Sequence, residues 1–491
     1  MSFRGALEPI LARLPAVTSP EGHVHLKKKL AWTAGILALY FALSNVPLFG
    51  MSPESVDMFH MYRAFFAGQG GTLMLLGIGP IVTGSIILQL LVGAKVINLD
   101  MSDPHDQALF QGAQKLLVFA MILFTALPQV LGGYIQPSTI VAADLGVSES
   151  VLTLILLIQI CAGGVLILFM DEIVSKWGIG SGVGLFIVAG VSQQIITGLF
   201  SWIPEMGGNV PIGVLPRWVY LAQTGLPTDV THILIDTGIL ALVTTITIFL
   251  FVVFVESTRI EIPLAHSAVR GARGRFPIKL IYASVLPMIL VRALQANIQM
   301  IGMMLSRNGI TILGEFEKGG TTPLGGIMYY LAPIHSPHDW IPSLVAAKYS
   351  SPGLAMASPD LWQIILHVLC DATMLIVGGI IFALFWIETT GMGAKNVAQN
   401  VFQSGMQIPG FRRSPQSIER VMERYVPKVT IIGGALIGAL TLVASMLGTV
   451  GGAGGTGLLL TVSIVYRLYE DLASEQMMEM HPMMRQFFGG A

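Results

Sequence analysis

Long apolar runs recur along the whole chain and dominate its pattern of hydrophobic and polar positions. A run of about 20 residues is long enough to cross a hydrocarbon core of ~30 Å, and it does so as a helix because lipid cannot satisfy backbone polar groups. The pattern predicts ten spans, at residues 30–49, 72–92, 109–131, 151–170, 181–200, 232–255, 279–303, 362–387, 429–449 and 454–471. The expected fold class is an all-α polytopic membrane protein.

Composition supports this expectation. The chain has 491 residues, of which 53% are hydrophobic and 11% are charged, whereas a soluble domain carries about 25% charged residues. A net charge of -1 gives no global basic field for nucleic-acid binding. Cys161 and Cys370 lie in apolar runs and form neither a disulfide framework nor a metal motif. No cleavable signal peptide is visible, so we expect the first apolar run to remain as a span.

The distribution of Lys and Arg predicts the orientation. With the N-terminus in the cytosol, 21 of these residues fall on the cytosolic side and five outside, as the positive-inside rule requires. We therefore expect a multi-pass protein of the cell membrane with both termini cytosolic. The expected division is a tail at 1–29, an N-terminal half at 30–231, a C-terminal half at 232–472 and a tail at 473–491. Halves of five spans have opposite orientations, which permits an inverted-repeat architecture.

Two long cytosolic loops, 256–279 and 388–428, are rich in basic residues. The ordinary positive-inside bias is one explanation. The other cytosolic connections are shorter, however, and loops of this length favour a functional role. That role would be a docking surface for something large and acidic, such as ribosomal RNA.

One apolar segment, residues 53–67, is too short to cross a membrane. Glu54, Asp57 and Arg63 also interrupt it. Such a segment is re-entrant, lies at the interface, or folds into a cavity.

Enzyme signatures are absent from the sequence, and we expect neither catalytic activity nor a cofactor. The Gly-rich run 178–184 opens an apolar helix without a preceding strand, which predicts close helix packing. His367 and Asp371 lie four residues apart in span 8, but no further ligands are near in sequence, so no metal site is expected.

The residues alone leave three classes of function open. These are a protein-conducting channel, a small-solute secondary transporter with inverted repeats, and an intramembrane protease. No Asp pair or Ser/His pair supports the protease. A transporter should place several polar groups together in the middle of the membrane.

Several stretches resemble the SecY family. The run Leu76–Thr83, followed by Gln89-Leu90-Leu91, is similar to the second transmembrane helix of that family. Other similar stretches are 108–116, 171–176, 178–182, 259–263, 388–391 and 454–457. The resemblance covers about residues 1 to 482 and is closest to archaeal members and the eukaryotic Sec alpha subunit.

This resemblance implies a SecY-type clamshell channel of ten helices in two inverted five-helix halves, which opens laterally between helices 2 and 7. Residues 53–67 would be the plug of the outer funnel. The implied pore ring is Ile78, Val82, Val183, Ile187, Ile289 and Leu460. The implied lateral-gate polar cluster is Thr83, Thr125 and Asn297, although the family often has an acid or amide at the position of Thr125. The implied ribosome contacts are Arg273, Arg275, Arg412 and Arg413.

The function that the resemblance implies is that of the central subunit of a protein translocation channel. Such a channel passes unfolded polypeptides across the membrane and releases apolar segments into lipid. The implied partners are a SecE-type (gamma) subunit and a SecG/beta-type subunit in a heterotrimer, the ribosome, nascent polypeptides and membrane lipid. The long outer loop, residues 304–361, has no expected role beyond surface decoration.

Two charges fall inside predicted spans. Arg292 lies about 13 residues into span 7, and Asp371 about nine residues into antiparallel span 8. At ~1.5 Å per residue they reach nearly the same depth. A lone charge there is costly, so we expect an intramembrane Arg292–Asp371 ion pair. The alternative is that each charge faces the pore or another partner.

Overall fold

A computed structural model describes residues 14–22, 24–93, 96–97, 99, 103–204, 210–224, 230–266, 273–280, 286–317, 320–349, 359–403, 406–407 and 414–480. In chain order its helices are α1 (Leu26–Ser44), α2 (Arg63–Phe66), α3 (Gly79–Gly93), α4 (Pro104–Leu131), α5 (Thr139–Leu145), α6 (Glu149–Trp177), α7 (Gly182–Phe200), α8 (Val214–Thr224), α9 (Val230–Asp236), α10 (Ile239–Ser257), α11 (Leu286–Arg307), α12 (Ile327–Leu331), α13 (Pro342–Tyr349), α14 (Leu361–Thr389), α15 (Ala394–Gln403), α16 (Pro415–Leu447) and α17 (Gly454–Met480). The strands are β1 (Arg259–His266), β2 (Arg273–Lys279) and β3 (Met406–Gln407).

A helix occupies each of the ten predicted spans. In the described residues, seven of them (α4, α6, α7, α10, α11, α14 and α16) are long and apolar enough to cross a membrane by length and composition. The other three differ for simple reasons. α1 begins among Lys27, Lys28 and Lys29, α3 has only 15 residues, and α17 continues into a polar end.

The second span begins later than the sequence predicts. Residues 72–78 form turns, and α3 starts only at Gly79. Gly77 has a φ of +54°, and a Cβ at this position would lie 2.1 Å from the carbonyl oxygen of Phe66. Only glycine allows both the left-handed backbone and so close an approach. The first residues of the predicted span therefore pass beneath the 53–67 segment instead of extending the helix.

Short polar sequences set the starts of several long helices. Asp103 caps α4 by accepting a hydrogen bond from the N–H of His105, and Pro104 follows at the first helical position. Ser414 caps α16 in the same way, again with a proline next. These are the side chains and positions that satisfy free N–H groups at a helix N-terminus.

The first basic loop folds into strands, which the all-helical expectation did not include. β1 pairs antiparallel with β2, with Ile260 opposite Ile278, and with the short β3 on its other edge. The second basic loop supplies β3 and α15, and α16 begins at Pro415 rather than near 429. The two basic loops are thus joined by backbone hydrogen bonds.

Close backbone contact holds α14 against α16. A Cβ at Gly438 would lie 2.6 Å from the carbonyl oxygen of Leu375, and one at Gly434 would lie 3.0 Å from that of Gly379. Small residues at such positions allow helices to approach within van der Waals contact in a membrane. The Gly-rich run 178–184 behaves as expected, because a Cβ at Gly182 would lie 2.6 Å from the Cα of Asp171.

The outer loop is not surface decoration, contrary to the expectation. Met328 and Ile334 are fully buried, and Tyr329, Val345, Tyr349 and Ile364 form a separate apolar cluster. The folded loop packs onto the outer end of α14.

We expect Gly438→Leu to destabilise the protein by about 1–3 kcal/mol or more, because the added side chain meets backbone rather than a movable side chain. Thermal unfolding of the detergent-purified protein measures this change. Gly35→Leu is the matched control, since a Cβ at Gly35 has nothing within 4 Å. Equal losses in both variants would show that the close contact between α14 and α16 is not the cause of the effect.

Candidate functional site

Six aliphatic side chains from four different parts of the chain meet at the centre of the protein. They are Ile78, Val82, Val183, Ile187, Ile289 and Leu460. Five of them are at most 4% exposed and belong to one buried cluster. Val183 is half-buried and packs against the same cluster. All six residues of the expected ring therefore lie in, or pack against, one buried apolar cluster.

Two cavities lie along α7 near this ring. One cavity, of about 270 Å³, is lined by Val82, Val183 and Ile289 together with residues near the C-terminal ends of α6 and α14. A second, of about 320 Å³, is lined by Gly190, Gln193 and other mostly polar groups. Along α7 the order is first cavity, Ile187, second cavity. Ile187 therefore lies between the two cavities along this helix.

The segment 53–67 folds back into the protein. A single 3₁₀ turn at His60–Tyr62 leads into α2, and Tyr62, Phe65 and Phe66 are at most 4% exposed. The chain enters this fold through backbone pairing, because the N–H of Val56 donates to the carbonyl oxygen of Tyr134. Of the options that the sequence left open, the structure shows folding into a cavity.

Two hydrogen bonds fix the end of this segment. The N–H of Ile78 donates to the carbonyl oxygen of Phe66 at 2.7 Å, and the hydroxyl of Tyr40 donates to that of Ala67 at 2.7 Å. Ala67 has a φ of +49°, a conformation that L-residues other than Asn and Asp rarely adopt. A ring residue thus holds the segment directly.

The expected lateral-gate residues lie between α3 and α11. The side-chain amide of Asn297 donates to the hydroxyl of Thr83 at 3.0 Å. Thr125 lines the same small cavity as these two residues, along with Phe59 and Phe66. The hydroxyl of Thr125 itself bonds back to the carbonyl oxygen of Met121 in its own helix. One direct polar contact therefore joins the two helices.

Arg292 and Asp371 form an ion pair. Nη1 of Arg292 lies 2.9 Å from Oδ1 of Asp371, and the two side chains are 2% and 0% exposed. The backbone N–H of Ile334 in the outer loop donates to the other carboxylate oxygen at 3.3 Å. The pair consequently joins α11, α14 and the outer loop.

Sequence reasoning missed two further members of this network. Gln295 accepts a hydrogen bond from Nη1 of Arg292 at 2.7 Å and donates to Asp371 at 3.2 Å. The hydroxyl of Thr456, at the start of α17, accepts from Nε of Arg292 at 3.1 Å. The spacing of three residues between Arg292 and Gln295 places both on one face of a helix, so the sequence could have indicated this contact. Thr456 is 164 residues away from Arg292, and nothing in the sequence indicated its contact.

His367 does not join a metal site. Its Nε2 forms a hydrogen bond of 2.8 Å with the carbonyl oxygen of Ala332 in the outer loop. Among the described residues, no group of three or more His, Cys, Asp and Glu side chains is placed to hold a metal ion.

The expected docking residues are only partly within the described structure. Arg273 and Arg275 lie on β2, and Arg412 and Arg413 lie outside the described residues. Glu470 of α17 holds the base of the β1–β2 hairpin, forming ion pairs with Arg259 at 3.2 Å and with Lys279.

The same helix contacts the N-terminal half. Glu475 pairs with Lys29 at 2.5 Å, and Glu479 accepts a hydrogen bond from the N–H of Leu26 at 2.7 Å.

Two family models match the chain. The model of the SecY family covers residues 72–469, and that of the plug domain of Sec61p covers residues 39–71. The chain belongs to the SecY family. The plug match includes the whole 53–67 segment, which we now call the plug.

Similar proteins agree over nearly the full length. The protein translocase subunit SecY of Archaeoglobus fulgidus is 58% identical, with 99% of this chain and 98% of that protein aligned. A solved structure of a protein-conducting channel is 38% identical, with a TM-score of 0.79 and coverage of 97% and 98%. Sec61 in the canine ribosome-channel complex from the endoplasmic reticulum is 38% identical, with a TM-score of 0.76 and the same coverage. The chain is a multi-pass membrane protein.

Asp371→Asn should destabilise the protein by about 3–5 kcal/mol, because it leaves the buried guanidinium of Arg292 without a counter-charge. The exchange Arg292→Asp with Asp371→Arg should recover part of this loss. Folded yield and thermal unfolding in detergent measure both effects. Glu470→Gln is the control, because Glu470 and its partner Arg259 are 30% and 45% exposed and such pairs contribute little. An exchange variant no better than either single variant would argue against the pair as the cause.

Proposed function

We propose that this chain is the central pore-forming subunit of a protein translocation channel. Unfolded polypeptides would pass through the aliphatic ring, and apolar segments would leave between α3 and α11 into lipid. The observation that carries the proposal is the arrangement of the ring, in which Ile187 lies between two cavities along α7 and Ile78 bonds directly to the plug.

The chemistry of the ring suits this task. Aliphatic side chains offer no hydrogen bonds to ions or water, so a narrow ring of them favours dewetting. They also yield around a passing chain without binding any particular sequence. The plug would then fill the outer funnel of the channel with Phe65, Phe66 and Tyr62, which are themselves buried.

The lateral gate between α3 and α11 is held closed by fewer contacts than the ring and the plug. The Thr83–Asn297 hydrogen bond is its one direct side-chain link among the gate residues, and a polar contact between membrane helices contributes about 0.6 kcal/mol. A substrate segment of ~20 apolar residues gains more than this by entering lipid. The free energy of transferring a substrate segment from the channel to lipid can therefore determine whether the segment leaves through the lateral gate.

The transporter alternative would need free polar groups at the centre. The buried polar cluster around Arg292 and Asp371 is largely occupied by contacts within the protein, and the constriction itself is apolar. This arrangement supports a channel.

The proposed assembly is a heterotrimer in the cell membrane with a SecE-type (gamma) subunit and a SecG/beta-type subunit. The ribosome would dock on the two basic loops and deliver nascent polypeptides, and the similarity to Sec61 in the canine ribosome-channel complex supports a ribosome partner. The excess of Lys and Arg, 21 against five, supports cytosolic termini.

Ion conductance tests whether the aliphatic ring and the plug keep the resting channel closed to ions. We expect the double variant Ile78→Gly with Ile187→Gly, and separately deletion of residues 55–66, to raise the resting conductance of planar bilayers. Each change widens the constriction or removes its filling. Ile246→Gly with Ile365→Gly, at outward positions that are 53% and 52% exposed, is the matched control. Unchanged conductance in both test variants would remove the pore assignment.

Docking is tested by charge reversal. Replacing Arg273, Arg275, Arg412 and Arg413 with Glu should weaken ribosome binding, and the difference should shrink as salt rises. Co-sedimentation with ribosomes over a salt series measures this. Lys27→Glu with Lys28→Glu changes exposed basic residues outside the two loops and should have a smaller effect. Normal binding of the four-residue variant at low salt would mean that the loops only set topology.

A further inference from the structure

Three buried polar atoms lie where the plug meets the C-terminal half. They are the hydroxyl of Tyr62, Nη2 of Arg292 and Nε2 of His335. Within the described part of the chain, none of them has a hydrogen-bond partner. Buried polar atoms are nearly always paired, with protein or with water, because leaving them unpaired costs free energy.

These groups come together from three separate elements. The rings of Tyr62 in the plug and His335 in the outer loop meet edge to face, with centroids 6.5 Å apart. Both residues are also close to the α11–α14 ion pair. The charges of Arg292 and Asp371 contribute to the pKa of Tyr62 and to that of His335, although burial is the larger influence on each.

Their hydrogen-bonding capacities are complementary. Burial, and then the nearby Arg292, lower the pKa of His335 to about 4. The imidazole is therefore neutral near pH 7 and offers one donor and one acceptor. The Tyr62 hydroxyl donates and accepts, and Nη2 of Arg292 donates. The three groups can all be satisfied together.

The outer loop holds His335 firmly in this position. The backbone N–H of His335 donates to Asp339 at 3.0 Å, and Asp339 is paired with Lys348 at 2.8 Å. The preceding residue, Ile334, donates to Asp371. The segment that carries His335 is therefore fixed next to the plug by hydrogen bonds and an ion pair.

We propose that Tyr62, Arg292 and His335 form a latch that holds the plug in the closed channel through hydrogen bonds to a shared bridging water. This inference rests on the proposed channel function. It gives the outer loop a role, because the loop supplies one of the three groups.

The latch would couple opening of the lateral gate to release of the plug. The end of the plug is held by Tyr40 and Ile78 of the N-terminal half. The two groups that would hold Tyr62, which are Arg292 and His335, lie in the C-terminal half. The plug consequently bridges the two halves. Movement of α11 away from α3 would withdraw Arg292 from Tyr62 and free that side of the plug.

The test uses Tyr62→Phe, which removes only a hydroxyl and keeps the ring. We expect the resting open probability of the purified channel complex in planar bilayers to rise about fivefold, as for loss of one modest hydrogen bond. Tyr329→Phe is the matched control. The hydroxyl of Tyr329 is also buried without a partner in the described residues, but its ring contacts His367 and Tyr349 instead of the plug.

An unchanged or lower open probability for Tyr62→Phe would overturn the latch, because removal of an unpaired buried hydroxyl should cost nothing. The second measurement combines Tyr62→Phe with His335→Phe. A shared latch predicts that the double variant opens no more than the stronger single variant, whereas effects that multiply would mean independent actions and overturn the latch. Deletion of residues 55–66 separates the two hypotheses, since it should raise conductance even where the latch fails.

Discussion

The ion pair between Arg292 and Asp371 organises the C-terminal half. Two charges buried this completely are tolerated only when each is well paired and hydrogen-bonded. Here the requirement draws in Gln295, Thr456 and the backbone of Ile334. Helices α11, α14 and α17 and the outer loop are thereby joined at one point. Because α11 is one of the two gate helices, it cannot move far without carrying its neighbours with it.

The proposed pore ring is built differently. The charges of Arg292 and Asp371 are paired with each other, whereas the ring has only aliphatic side chains. The plug meets this ring through a backbone carbonyl, that of Phe66, and through packed aromatic rings. A closed state is therefore held by apolar contact at the centre and by a few directed hydrogen bonds at the edge. The edge contacts can be changed singly without opening a cavity in the core.

Much of this fold could be predicted from the sequence, because apolar length and charge are constraints that a membrane imposes locally. The positions of ten helices were predicted in this way, and the equal depths of Arg292 and Asp371 in their spans indicated the ion pair. For residues 53–67 the pattern left three placements open, and only the family resemblance implied a plug. The later start of α3 could not be predicted, since it depends on the approach of Gly77 to Phe66. The packed outer loop was missed for a related reason, because it is held by partners distant in the chain, such as Asp371 for Ile334. The β1–β2 hairpin pairs locally, but its basic residues were interpreted only as a loop.

Helix α17 connects the basic hairpin to the aliphatic ring. Leu460 lies in its second turn, Glu470 holds the hairpin from near the middle of the helix, and Glu475 holds α1 further along. No Gly or Pro interrupts residues 458–480, so this part of α17 acts as a stiff rod about 35 Å long. A tilt of about 5° around Glu470 would displace Leu460, which is about 15 Å away along the helix, by roughly 1 Å. Van der Waals contacts already lose a large part of their attraction over a gap of about 0.5–1 Å. A load applied to the hairpin would therefore reach the ring as the motion of a lever, with no soft joint in the helix to absorb it.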